Sequence, residues 1–286
     1  MWIIFAFASA LFAGLTSILA KCGIKNTDSN VATAIRTVVI LIFSWIMVFV
    51  AGVSGEIYAL NGRTMFFLIL SGLATGGSWL CYFKALQLGD INKVTPIDKS
   101  STVLTMVLAI LFLEEALTAV KLFAMILISL GTYWMIEKKE TSPDKTTSNA
   151  WLFYAFASAI FASCTSILGK VGMEGVNATL GTAIRTIVVL VMAWMMVFMT
   201  KKQKTIKEID KQSWLFLILS GIATGLSWLC YYSALQLGPA SVVVPIDKLS
   251  MVVTIGFSYF IFHEKLSKKG CLGFIFIIVG TLALLF

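Results

Sequence analysis

LILSGLATGGSWLCY, from Leu68 to Tyr82, returns as LILSGIATGLSWLCY from Leu217 to Tyr231, with only two positions changed. Working outward at the same offset, the chain aligns on itself without a gap at roughly 40% identity, and such self-similarity decides a fold before any local signal does. TAIRT at Thr33–Thr37 pairs with TAIRT at Thr182–Thr186. FAFASALFAGLTSILAK, ending at Lys21, pairs with YAFASAIFASCTSILGK, ending at Lys170. SWLCYFKALQLGDINKVTPIDKSS, Ser78 to Ser101, pairs with SWLCYYSALQLGPASVVVPIDKLS, Ser227 to Ser250. The polar, proline-containing run EKKETSPDKTTSN has no counterpart. The reading is therefore repeat 1 over 1–137, a linker over 138–149 and repeat 2 over 150–286.

Hydrophobic residues make up 59% of the chain and charged ones 13%, about half the charge of a soluble domain. The apolar residues fall in blocks near the roughly 20 residues that a bilayer-crossing helix needs. In repeat 1 the blocks lie near 2–20, 31–52, 65–83, 94–113 and 117–136; in repeat 2 near 151–169, 178–200, 214–232, 240–262 and 270–286. The expected fold is an all-α integral membrane protein of ten transmembrane helices. The N-terminal run resembles a signal peptide but is rewritten internally at Ala150 to Lys170, so both copies read as membrane helices. Glycines at 23, 89, 172 and 238 are expected to close helices. Pro96, Pro239 and Pro245 are placed in or near the first turns of blocks four and nine.

Five spans is an odd number, so the second repeat enters from the opposite side and the two are inverted. The loop charges agree. Lys21, Lys25, Lys84 and Lys93 follow the first and third blocks of repeat 1, whereas Lys201, Lys202, Lys204, Lys207, Lys211, Lys265, Lys268 and Lys269 follow the second and fourth of repeat 2. Inversion gathers them with the linker lysines on one face. Only Arg63, Lys121 and Lys170 oppose them, so the K/R-rich face is cytoplasmic and both termini are non-cytoplasmic.

The net charge of +8 reports orientation rather than nucleic-acid binding, because no basic stripe with interleaved aromatics is present. Cys22, Cys81, Cys164, Cys230 and Cys271 form no CxxC pair, and His263 is the only histidine. No metal, cofactor or catalytic group is expected. The partners expected are the lipid bilayer and a small-molecule solute; one chain holding both repeats is able to act as a monomer.

The chain resembles the drug/metabolite transporter superfamily, specifically EamA-domain proteins. The marks are the small-residue opening helix ending in Lys, the Tyr-x-x-Ala-Leu-Gln-Leu-Gly runs from Tyr82 and Tyr231, and a fourth helix begun through a proline. To these add Glu115-Ala-Leu-Thr118 and Glu264-Lys-Leu-Ser267, then Gly131-Thr132 and Gly280-Thr281. The resemblance implies an inner-membrane carrier, often an exporter, with a cavity between the repeats; it names no substrate. It also implies cytoplasmic termini, against the charge count. A membrane-buried acid in the first helix, which the small multidrug-resistance relatives use, is missing from Trp2–Ala20 and Trp151–Gly169.

The ionised side chains inside the blocks are Arg36, Asp98 and Lys99 with their copies Arg185, Asp247 and Lys248. Charges at such depth are costly and mark function by default. Shared depth predicts an Arg36–Asp98 pair and an Arg185–Asp247 pair in at least one conformational state, acting as gates or locking helices together, while the lysines snorkel. Thr75, Ser78, Trp79 and Tyr82, with Thr224, Ser227, Trp228 and Tyr231, share one helix face and are expected to line the cavity. Small residues of helix one serve close packing. Gln87 and Gln236 are expected as caps, and Glu115 and Glu264 at the starts of the helices that follow them. The functional expectation is a secondary transporter, an exporter of a small amino-acid-like or anionic metabolite, working by alternating access. A lipid-linked or multidrug flippase, or a non-transporting scaffold, are the alternatives. An enzyme is disfavoured, since the helices hold only Asp98 and Asp247 as acids.

Overall fold

A computed structural model describes residues 1–23, 27–88, 94, 97–135, 150–262 and 267–286. Among them the structure is helical throughout, with no strand. In repeat 1 the helices are α1 (Trp2–Gly23), α2 (Ser29–Val50), α3 (Gly62–Leu88), α4 (Ser101–Phe112) and α5 (Ala119–Met135). In repeat 2 they are α6 (Ala150–Gly172), α7 (Ala178–Met199), α8 (Lys211–Leu237), α9 (Ala240–Lys248), α10 (Ser250–Phe262) and α11 (Lys268–Ala283). Seven runs are long and apolar enough to cross a bilayer, the last being Ala240–Phe257, and Ala119–Met135 is a shorter apolar helix. Side chains such as Ile42, Phe49, Phe66, Phe153 and Ile160 are exposed on the outer surface. So much exposed apolar surface needs a lipid solvent, and the protein is a multi-pass membrane protein.

The helix starts are set by side-chain caps that recur in both repeats. Asp28 accepts the N–H of Asn30 at 3.0 Å, and its copy Asn177 accepts that of Thr179 at 2.9 Å. Asn61 accepts from Thr64 at 2.7 Å; its copy Asp210 accepts from Ser213 at 3.0 Å. Each cap satisfies N–H groups that the first turn leaves open. The Ser213 hydroxyl and backbone N–H also hold the Asp210 carboxyl below its ordinary range.

The fourth block of repeat 2, expected as one helix over 240–262, is broken at Leu249 between α9 and α10. Pro239 caps α9, and Pro245 lies beyond the first turn, inside the helix. There its missing N–H removes a ladder bond and loosens the helix around it. In repeat 1 the copy of Leu249 is Ser100, a turn residue preceding α4. Both PIDK motifs thus end at a joint. Pro96 lies outside the described residues.

The repeats are intertwined. α1 packs on α8 and α3 on α6, while α2 meets α7 and α5 meets α11. Glycine permits the closest approach: a Cβ on Gly131 of α5 would lie 2.5 Å from the Gly273 carbonyl oxygen of α11. Equivalent helices run in opposite directions. Trp2, at the start of α1, covers Gly238, whose carbonyl accepts from Lys170 at the end of α6. Gly23 and Gly172 do end helices, but among the described residues the left-handed glycines are Gly52 and Gly175, with φ of 69° and 70°, and Gly89 lies outside those residues. At Gly172 small size matters instead, since a Cβ would approach the Leu68 backbone N at 3.0 Å.

Candidate functional site

A cavity of about 630 Å³ lies between the repeats. Arg36 and Arg185 enter it from α2 and α7, and Asp98, Lys99, Asp247 and Lys248 from the two PIDK motifs. The eight residues expected along it border it: Thr75, Ser78, Trp79 and Tyr82 from α3, and Thr224, Ser227, Trp228 and Tyr231 from α8.

Each arginine is held by the other repeat. Arg36 Nη2 donates to Thr224 Oγ1 at 2.8 Å. Its copy Arg185 donates from Nη2 to Thr75 Oγ1 and from Nε to Ser71 Oγ at 2.9 Å. The threonine hydroxyls give their own protons to the carbonyls of Ser220 and Ser71, four residues back. Their lone pairs are thereby free to accept from the guanidinium. Arg185 is only 2% exposed, and its Cζ lies 5.2 Å from the Trp228 ring centroid and 4.7 Å from that of Tyr232. Such stacking on aromatic faces helps a desolvated cation. Arg36 Nε and Arg185 Nη1 are buried without an acceptor, a costly condition for a charged donor.

The carboxylates are held across the repeats as well, by serines rather than arginines. Ser9 donates to Asp247 at 2.6 Å, and Ser158 donates to Asp98 at 2.8 Å. The expected Arg36–Asp98 and Arg185–Asp247 pairs are not made in this conformation; the ion pairs found among the described residues lie elsewhere. Equal depth along two helices does not bring their side chains to one azimuth. Here α1 and α6 face the PIDK motifs and take the carboxylates. Ser78 and Ser227 donate to the Ser158 and Ser9 carbonyls, each at 3.1 Å, so they also bind helix to helix.

A second cavity of about 360 Å³ shares Ser17, Lys99 and Lys248 with the first. It continues between α5, α10 and α11, among Ile128, Met135, Ile255 and Ile277.

Two caps read from the sequence serve other partners. Glu115 does not cap α5. It accepts the N–H of Ala240 at 2.5 Å and of Ser241 at 3.1 Å, with the Ser241 hydroxyl, and so caps α9 of the other repeat. Lys121 at 3.5 Å and Lys170 at 3.8 Å surround the same carboxylate. Gln236 does not cap its own helix but donates to the carbonyls of Met173 and Val176, both at 2.6 Å. The Gln87 side chain, Glu264, His263 and the linker lie outside the described residues. The sequence reading missed Ser9, Ser158, Ser71 and Tyr232 as partners of the buried charges. The three serines are identical in both copies, Ser71 returning as Ser220, and that identity was their available signal.

The EamA-like transporter family profile matches residues 1–136 and again 149–286. A Sinorhizobium sp protein described as an uncharacterized transporter in the cobO 3' region is 44% identical over 137 residues, which span 48% of this chain and 97% of that one. An uncharacterized protein of Methanocaldococcus jannaschii, MJ1333.1, is 30% identical over 83 residues, 29% of this chain and 61% of its own length. A solved crystal structure only 14% identical superposes with a TM-score of 0.76 over 99% of this chain and 97% of that one, which shows a shared fold. Doubled profile, intertwined repeats and a charged cavity between them converge on one assignment: the chain belongs to the EamA-like transporter family.

Proposed function

We propose that this transporter is a secondary carrier that exports a small organic anion, or an amino-acid-like metabolite bound through its carboxylate, by alternating access. The observation that supports this most is the pair of cavity guanidiniums, Arg185 buried and Arg36 part-buried. Each is fixed by the opposite repeat and each keeps one N–H without an acceptor in the cavity region. Arginine suits a carboxylate because its planar fork offers paired donors. With Lys99 and Lys248, four cations face two carboxylates, each of which already accepts from a serine. In this reading the chain crosses the inner membrane ten times as two inverted five-helix repeats, with both termini outside, and works as a monomer. The serine-held aspartates exchange partners as one mouth closes and the other opens, with the PIDK joints at Ser100 and Leu249 as hinges.

The test is uptake into proteoliposomes of labelled amino acids, monocarboxylates and quaternary ammonium cations. Wild type is compared with Asp98→Asn, Asp247→Asn and the double variant at matched expression. The reading expects carboxylate transport that each single variant impairs. Normal transport by all three variants rules out the aspartates as gates, and a quaternary cation as the carried solute rules out the anion.

A further inference from the structure

We propose that the second cavity is a side chamber for the apolar body of an amphipathic organic anion, whose head group lies at the cationic junction formed by Lys99 and Lys248. This rests on the carrier reading for the main cavity and narrows its solute to carboxylates with an aliphatic or aromatic tail.

Three observations carry it. The chamber meets the main cavity at Ser17, Lys99 and Lys248, so one elongated ligand reaches both. Beyond that junction Ile128, Met135, Ile255 and Ile277 offer a tail burial, with the hydroxyls of Thr102, Thr132, Thr254 and Thr281 set among them. A cavity with apolar walls and a few polar groups is the usual build of an organic-ligand site. The second observation is the lysines. Among the described residues neither is tied down by an ion pair or a side-chain hydrogen bond, and the adjacent carboxylates are engaged by Ser158 and Ser9. Third, Thr281 also borders the chamber, and its Oγ1 is buried without a partner. An unmet buried hydroxyl is unfavourable until something polar reaches it. Its copy Thr132 borders the same space. The same two chemical groups therefore arrive from both repeats, as expected of a site shared between them.

The experiment measures binding to the purified protein in nanodiscs through the change in tryptophan fluorescence that is lost in a Trp79→Phe, Trp228→Phe variant, since these two of the eight tryptophans border the main cavity. The probes are acetate, butanoate, hexanoate and octanoate, beside the matching alcohols. Affinity for the acids is expected to rise up to roughly fourfold per added methylene, from the transfer free energy of a buried CH₂, while each alcohol binds more weakly than its acid. Thr254→Phe, or Thr132→Leu should the first variant not fold, fills the chamber and lowers the octanoate-to-acetate affinity ratio. Lys248→Met removes the preference for acid over alcohol. A flat chain-length series overturns the proposal, as does a ratio unchanged in a folded filler variant, which would indicate partition into lipid. Failure to bind any carboxylate overturns it too. Because binding is read without transport, a flat series leaves the carrier reading intact, and a failed uptake assay leaves the chamber intact.

Discussion

Replacing Glu115 by Gln removes one negative charge from a carboxylate that is only 9% exposed. That carboxylate accepts two backbone N–H groups and a hydroxyl at the start of α9 and faces two lysines whose side chains are 13% and 19% exposed. The amide keeps the shape and one acceptor. Its NH₂ then points at a donor, the Ala240 N–H in one orientation and the Ser241 N–H in the other. Losing one partner of a largely buried charged cluster costs about 3–5 kcal/mol, and the retained oxygen recovers part of that, so about 3 kcal/mol is expected. For a chain of this size that is a fall of roughly 6 °C in melting temperature. The assay is thermal unfolding of the detergent-purified protein with a fluorogenic thiol dye, since all five cysteines are free and four are partly buried. Glu114→Gln is the control: the neighbouring side chain is exposed, and its loss belongs within about 0.5 kcal/mol. If Glu115→Gln melts with Glu114→Gln, the carboxylate does not fasten α9 and the cross-repeat cap has no energetic weight.

Packing and charge set four further outcomes. Gly131→Ala places a Cβ 2.5 Å from the Gly273 carbonyl, so α5 and α11 must separate and thermal stability must fall. Gly256→Ala meets nothing within 4 Å and is expected to stabilise α10 by about 0.5–1 kcal/mol, the helix-propensity gain of alanine over glycine. Ser9→Ala withdraws the hydroxyl that donates to Asp247; it should weaken solute transport with little change in expression level, read in the uptake assay against wild type. A reporter active only in the cytoplasm, fused after Phe286, is expected to stay silent; strong activity would show cytoplasmic termini and defeat the loop-charge reading.

Most of what was legible in the sequence was written twice by the repeat, though not everything written twice was read. The offset copy of LILSGxATGxSWLCY placed α3 and α8 in equivalent roles, and their hydroxyl and aromatic face does border the cavity. Glu115 was not legible, because its target helix begins 125 residues further along the chain and helix-capping signals are local. The Arg–Asp pairs are absent from this conformation for a related reason. Depth can be counted along a helix, but rotation about its axis is set by packing, and Asp247 faces Ser9 from 238 residues away. The break at Leu249 was not read: in the sequence Pro245 passes for a first-turn proline, whereas it lies inside the helix and the joint comes four residues later, after the carboxylate and the lysine have been positioned.

The exchange of arginine partners also sets a timetable for synthesis. Thr224, which accepts from Arg36, lies 188 residues downstream of it. At translation rates of 5–20 residues per second, Arg36 sits in the membrane for roughly 10–40 s before its acceptor is made. Through that interval the guanidinium of the first repeat lacks the hydroxyl that accepts from it in the finished fold. The second repeat is born into a different situation: Ser71 and Thr75 already stand ready for Arg185. The two halves of a nearly symmetric protein therefore complete their buried arginine sites in sequence, the downstream one on partners already made and the upstream one only after a wait.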